Sequence, residues 1–278
     1  MKKIIFILLT VTVFSYAHVL AEQTEIMEEI QKKEPPRFAE EKKEEKVYAH
    51  SLYEYSWIKQ GSRKGNWRIF SNRLAYLKDN LQVFYIDSTS YARFGVKDST
   101  LEFGSYLKLQ NGYLHGEFGF DSDHVDYMYK YKGLMEFEQR IVNNWFVNLN
   151  TRYLRYTSDA SGDVYILSPA LVYYFGNNYL TAGYGISFTQ YRDSAQFGTI
   201  KGGFALNDKV NLWLGAALGN RLFDINFLKS NKQYGSVFFG GLDIAATKNI
   251  TFRIGGSYSK ERPSFIKRSI DFGAKIKF

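Results

Sequence analysis

The sequence predicts an all-β chain that closes into one antiparallel transmembrane β-barrel of meander topology, with about fourteen strands (a range of roughly twelve to sixteen). Three observations predict it. The N-terminus reads as an export signal, the C-terminus is a strand ending on an aromatic residue, and strand alternates with turn without a break between them.

Lys2 and Lys3 make a positive start, Ile4 to Phe14 is nearly unbroken apolar sequence, and Val19-Leu20-Ala21 offers small or short residues before Glu22. This is the pattern of a secretory signal peptide over 1–21, cleaved near Ala21. The apolar run is short for a membrane helix, which needs about 20 residues. Zero cysteine excludes disulfides and thiolate metal ligands, and leaves no thiol for lipid attachment at the mature N-terminus. Residues 22–46 follow, with 9 acidic and 6 basic side chains, Pro35-Pro36 and few apolar residues. They read as a charged, disordered periplasmic tether, in which Glu25 to Lys33 has the composition of a short helix.

From Val47 to Phe278 apolar and polar residues alternate with a period of two. Leu180, Ala182, Tyr184, Ile186 and Phe188 oppose Thr181, Gly183, Gly185, Ser187 and Thr189. Trp145, Val147, Leu149 and Tyr153 oppose Asn148, Asn150 and Arg152. Val210, Leu212, Leu214, Ala216 and Leu218 oppose Asn211, Gly215 and Gly219, with Trp213 on the small-residue side. Ile250, Phe252, Ile254 and Tyr258 oppose Thr251, Arg253, Ser257 and Ser259. None of these segments has the three-and-four spacing of a helix. Strands are expected to start near residues 47, 65, 81, 99, 112, 130, 145, 163, 178, 195, 209, 233, 250 and 268. Pro169 sits awkwardly inside one of them.

The connections fall into two classes. Asp79-Asn80, Asn111-Gly112, Asn143-Asn144, Asn177-Asn178, Asn207-Asp208 and Lys248-Asn249 are tight-turn pairs. Between them fall longer connections near 59–64, 95–98, 121–129, 158–162, 191–194, 224–232 and 260–267. Short turns at one rim and longer loops at the other are the asymmetry of an outer-membrane barrel. An exported N-terminus puts the short turns and both chain ends on the periplasmic side.

The last strand alternates Ile270, Phe272, Ala274, Ile276 and Phe278 with Asp271, Gly273, Lys275 and Lys277. It resembles the C-terminal signal that hands barrels to the barrel-assembly machinery, with Asp271, Gly273, Ile276 and Phe278 in the signal positions. Three further runs, Tyr53-Glu54-Tyr55-Ser56-Trp57, Gly65-Asn66-Trp67-Arg68 and Tyr91 to Asp98, resemble the YaiO family of outer-membrane barrels. The resemblance covers about 47–278 and implies a place in the bacterial outer membrane, with little implied chemistry. Barrels of this kind also form exopolysaccharide export pores, but those carry helical repeats ahead of the barrel, for which 22–46 is too short.

The chain is +8, and with the signal lysines and the −3 tether set aside, 47–278 carries +9. For an exported protein this favours outer-membrane lipids, lipopolysaccharide phosphates, polysaccharide or an anionic solute as partners, and not nucleic acid. Alternation places Glu102, Lys108, His115, Glu117, Glu136, Glu138, Arg140, Arg152, Lys201, Asp243, Arg253, Asp271, Lys275 and Lys277 toward the lumen. Such a face fits a polar conduit for a charged or sugar-like solute, and it equally fits an interior filled and stiffened by cross-strand ion pairs.

Catalytic, cofactor and metal sites are not expected. Gly-x-Ser-x-Gly, His-Glu-x-x-His and phosphate-loop patterns are absent from the sequence. Glu136 and Glu138 share a face but lack a carboxyl partner of separated acidity. The acidic stretch Asp121 to Asp126 around His124 does not have calcium-loop spacing. Phe227, Leu228, Tyr234 and Phe265 lie in longer connections that could touch polysaccharide or lipopolysaccharide. Two other classes stand beside the channel or envelope-component reading: a barrel enzyme acting on outer-membrane lipids, for which His115 is the residue to test, and a secreted soluble β-protein.

Overall fold

The computed structural model describes residues 45–78, 81–93, 95–121, 129–156, 162–189, 194–221, 233–261 and 265–278. The expected signal peptide, nearly all of the tether, the 79–80 turn, His124 with its acidic stretch, and Phe227 and Leu228 lie outside them.

The strands in order are β1 (Lys46–Gln60), β2 (Arg63–Lys78), β3 (Gln82–Arg93), β4 (Val96–Leu109), β5 (Gly112–Asp121), β6 (Tyr129–Val142), β7 (Trp145–Tyr156), β8 (Asp163–Phe175), β9 (Asn178–Thr189), β10 (Ser194–Asn207), β11 (Val210–Arg221), β12 (Gln233–Ala245), β13 (Ile250–Glu261) and β14 (Phe265–Lys277). Each pairs antiparallel with its chain neighbours, and β14 returns to β1, so the sheet is closed with fourteen strands and no edge. Closure satisfies every ladder, which a sheet in hydrocarbon must do. The seam runs from Tyr48 opposite Lys277 to Gln60 opposite Phe265, and the Phe278 amide donates to the Val47 carbonyl at 2.9 Å.

The alternation sorts residues between two environments. Leu74, Phe84, Phe118, Met135, Leu149, Tyr184, Ile200, Leu214, Phe238, Phe252 and Phe272 point outward and are exposed. A soluble protein does not carry an apolar band around its whole girth. Facing hydrocarbon, the same band is what holds a barrel in a bilayer. The inward partners are polar, small or aromatic, and Glu54, Arg73, Glu102, His115, Glu136, Asp243 and Lys267 are buried there.

Some expected connections need correction: the Lys248-Asn249 turn belongs to a four-residue connection, 246–249, and within the connection expected over 260–267 β13 runs on to Glu261 and β14 starts at Phe265. The connections expected to be longer near 59–64 and 95–98 are each two residues, 61–62 and 94–95. Gly61 makes the first possible with φ of 59°, a left-handed conformation that costs a side chain about 1 kcal/mol or more. Lys59, Arg63 and Lys64 read as loop in the sequence, yet they belong to strands that run past the apolar band. At 143–144 the turn is tight as expected, and Asn143 takes φ of 46°. Pro169 lies within β8. Pairing with β9 lapses at Ser168 and Pro169, then resumes in the same register at Ala170 opposite Gly183.

Candidate functional site: the barrel lumen

The inner face is unevenly filled. On β1 to β5 and β14 large side chains dominate. Ile58, Trp67, Ile69, Tyr91 and Phe265 form one buried cluster toward the long-loop end, with Tyr129 and Tyr156 against it. Tyr48, Ala75, Leu77, Val83, Tyr85, Tyr106 and Tyr113 form another toward the short-turn end.

Between them runs a charged network. Arg73 on β2 grips Asp87 on β3 through two parallel bonds, 2.7 and 2.5 Å, with its guanidinium 4.3 Å over the Tyr85 ring. The Tyr85 hydroxyl donates to Glu117 Oε2 at 2.6 Å and meets His115 Nε2 at 2.7 Å. The His115 ring is stacked on Tyr106 at 3.9 Å, and its Nδ1 lies 3.5 Å from Glu136. Lys132 on β6 lies 2.5 Å from Glu117 and 2.9 Å from Glu102, which also accepts from the Tyr129 hydroxyl. Asp87, Glu102 and Glu117 gather their oxygens as a cation site would. The protein's own cations, Arg73 and Lys132, already serve them.

The network continues to Glu136 and Glu138. Glu136 accepts from the Tyr113 hydroxyl at 2.6 Å and from Asn148 Nδ2 at 2.7 Å, and Glu138 accepts from the Tyr174 hydroxyl at 3.0 Å. Neutral donors therefore hold both carboxylates in place on β6. A second ion group lies near the seam. Glu54 meets Lys267 at 2.6 Å, and Arg253 grips Asp243 at 2.7 and 2.8 Å with its guanidinium over Trp213.

The wall formed by β8 to β12 is different. Its inward residues include Ala170, Thr181, Gly183, Gly185, Ser187, Thr199, Gly203, Gly215, Ala217 and Gly241. The aromatic rings on this side lie flat across a glycine on the next strand: Phe197 on Gly185, Tyr179 on Gly203, Phe239 on Gly215 and Trp213 on Gly241. A Cβ at any of these glycines would overlap the ring. Covering a strand glycine with a cross-strand aromatic compensates the weak ladder residue. Here it also keeps the rings against the wall.

Between the filled side and this wall is a cavity that opens to solvent, with about 650 Å³ of empty space when the open part is counted. Glu136, Glu138, Asn150, Ser168, Tyr174, Tyr179, Thr181, Phe197 and Lys201 are among its lining residues. Asn150 Oδ1 and Ser168 Oγ are buried without a hydrogen-bond partner. Lys201 has no ion pair among the described residues. Aromatic walls with a few polar groups facing in are the usual lining of a small-molecule site.

The predicted lumen residues are placed as follows. Glu102, His115, Glu117, Glu136, Glu138, Arg152 and Arg253 are buried on the inner face, as are Asp243 and Asp271. Lys108, Lys201, Lys275 and Lys277 are half-buried there, Lys275 over the Tyr48 ring. Arg140 lies beyond the enclosed part: it is exposed at the short-turn rim, at a register shift in β6, above the Phe146 ring. Glu136, Glu138 and Lys201 share the cavity. Of the C-terminal signal positions, Asp271 points inward and Ile276 and Phe278 outward, while the backbone beside Gly273 approaches Ser51 and Leu52 of β1. The sequence reading missed Arg73, Tyr85, Asp87, Lys132, Tyr113 and Tyr174. The alternation of Val83, Tyr85, Asp87, Thr89 and Tyr91 would have found two of them, Tyr85 and Asp87. Their contacts across the lumen leave no local signal.

No protein-family profile matches the chain, and no curated protein matches it in sequence. Solved structures do match in shape. The chain is similar to the CymD monoaromatic hydrocarbon channel (TM-score 0.59, 7% identity, 85% of this chain and 89% of that one). It is similar to a bacterial polysaccharide outer membrane secretin (0.53, 10%, 82% and 98%) and to the outer membrane protein Omp33 of Acinetobacter baumannii (0.52, 10%, 84% and 99%). At these identities the likeness shows the closed β-barrel fold.

Proposed function

We propose that the chain is an outer-membrane channel, an envelope barrel of the YaiO kind, that passes a small hydroxylated solute of saccharide chemistry along the β8–β12 side of its lumen. The observation that carries the reading is the cavity. Its Asn150 and Ser168 oxygens are buried without partners, its Lys201 ammonium faces two carboxylates, and Tyr174, Tyr179 and Phe197 supply rings. Partnerless buried polar atoms are costly unless something visits them. Sugar hydroxyls donate and accept, and their C–H faces stack on rings. The fold shared with channels and with a polysaccharide secretin supports passage, and the sequence resemblance to the YaiO barrels supports the place in the envelope. The flat-ring wall supports it further, because the Tyr179 and Phe197 rings of β9 and β10 stay against the wall and leave Lys201 to reach toward Glu136 and Glu138.

The test is single-channel recording in planar bilayers. Discrete conductance steps are expected, reduced by maltose on the short-turn side. The Gly203→Ala variant, folded by gel mobility, should conduct less, because its methyl lifts the Tyr179 ring off the wall. A folded but silent barrel would overturn passage and favour the second reading, a filled scaffold, for which the Tyr–Glu–His–Lys network is the supporting observation. Lipid hydrolysis abolished by His115→Ala would favour the enzyme reading instead. Both ring nitrogens of His115 already face Tyr85 and Glu136, which leaves that imidazole poorly placed to activate a nucleophile.

A further inference from the structure

The outward face of β13, β14, β1 and β2 carries a cationic patch just inside the long-loop rim. Lys260, Ile266, Lys59 and Lys64 form one row of directly paired neighbours across the four strands. Tyr258, Arg268, Trp57 and Asn66 form the row below, and Tyr55 pairs with Arg68 below that. All five cations are exposed, and no acidic residue shares the outward face of these strands among the described residues. Elsewhere the same rim is different. Arg155 and Asp163, outward on β7 and β8, face each other at 4.0 Å, and the described outward residues of β9 to β12 carry no charge.

Lys59 directly opposite Lys64 is a repulsive cross-strand pair, and no acidic residue among the described ones relieves it. The patch lies on the outward face just past the apolar band, at headgroup depth, and its Trp57, Tyr55 and Tyr258 mark the boundary between hydrocarbon and headgroups. Arginine forks and lysine ammonium groups side by side at that depth suit a phosphate monoester.

We infer that this patch is a binding site for a phosphorylated glycolipid headgroup of lipid A chemistry in the leaflet at the long-loop end. The inference rests on the membrane-spanning reading of the barrel and is independent of solute passage. The anion relieves the Lys59–Lys64 repulsion, Arg68 and Arg268 take its oxygens, and the acyl chains lie against the outward Phe70, Leu74, Ile270 and Phe272 on the same strands.

The experiment is native mass spectrometry of the purified chain in detergent with bisphosphorylated lipid A. The full chain is expected to retain it. Combined Lys59→Gln, Lys64→Gln, Arg68→Gln, Lys260→Gln and Arg268→Gln should lower retention at least about tenfold, since each cation near a charged headgroup is worth about 1 kcal/mol. Combined Lys78→Gln, Lys97→Gln, Lys130→Gln, Lys209→Gln and Lys248→Gln should leave it unchanged. If the first variant does not fold by heat-shifted gel mobility, Arg68→Gln with Arg268→Gln replaces it. Equal retention by the patch variant, equal loss in the control, equal binding of dephosphorylated lipid A, or displacement by excess inorganic phosphate would each overturn the site. Bilayer conductance of the patch variant should be unchanged, so failure here is distinguishable from failure of the channel reading.

Discussion

Lys132 shows how the interior works at the scale of one residue. It is buried between Glu102 and Glu117, and no water-filled space could solvate those carboxylates in its place. A buried ion pair adds little over apolar packing, but removing one partner strands the other. Lys132→Met is therefore expected to lower unfolding stability by about 3 kcal/mol, read as a lower urea midpoint in detergent. Adding Glu102→Gln and Glu117→Gln to it should recover much of the loss. An unchanged midpoint in the single variant would show that Lys132 does not carry the charge balance. Lys201 is the contrasting case, a lumen ammonium without an ion-pair partner among the described residues. The sequence placed both lysines in the chain, yet only Lys201 stood out as a lumen candidate, because the alternation around Lys132 is interrupted by the register shift between Tyr129 and Tyr131.

At the scale of the element, the period of two was legible wherever one face meets hydrocarbon. All fourteen strands begin within three residues of where the alternation puts them. The misread ends are those of β1 to β4, β13 and β14 at the long-loop rim. There the outward face leaves the apolar band, and Lys59, Lys64 and Lys97 stand where apolar residues would mark the alternation. The last strand raises a separate question. Phe278 ends the seam through its backbone bond to Val47, while its ring is 72% exposed. A ring that packs on nothing contributes little to the fold and is available to be recognised. Phe278→Ala should leave the unfolding midpoint in detergent within about 0.5 kcal/mol, as for other surface changes. The same variant should reach the outer membrane in much smaller amounts, measured in membrane fractions. Normal levels in cells would remove the assembly role of this residue.

For the whole molecule, an even strand number puts the start of β1, the end of β14 and the short turns at one end. The export signal expected from the sequence would put that end in the periplasm. The absence of cysteine makes this simple to test. Ser62→Cys, in the β1–β2 turn, should react with an impermeant maleimide in intact cells, and Asn144→Cys only after the outer membrane is opened. The reverse pattern would invert the barrel, and with it the leaflet assigned to the cationic patch.

By itself the sequence determined the strands, their inward and outward faces, most of the turns and the class of fold. These follow from local rules: a period of two, turn residues that accept positive φ, and an apolar face that must meet lipid. Only the tertiary structure decided what the lumen is. Tyr85 finds Glu117, and Tyr174 finds Glu138, across more than 30 residues of chain. The rings that lie flat do so because the strand beside them offers a glycine at that register. Filled side and cavity alike depend on strand stagger and closure, which bring together side chains that no local pattern links.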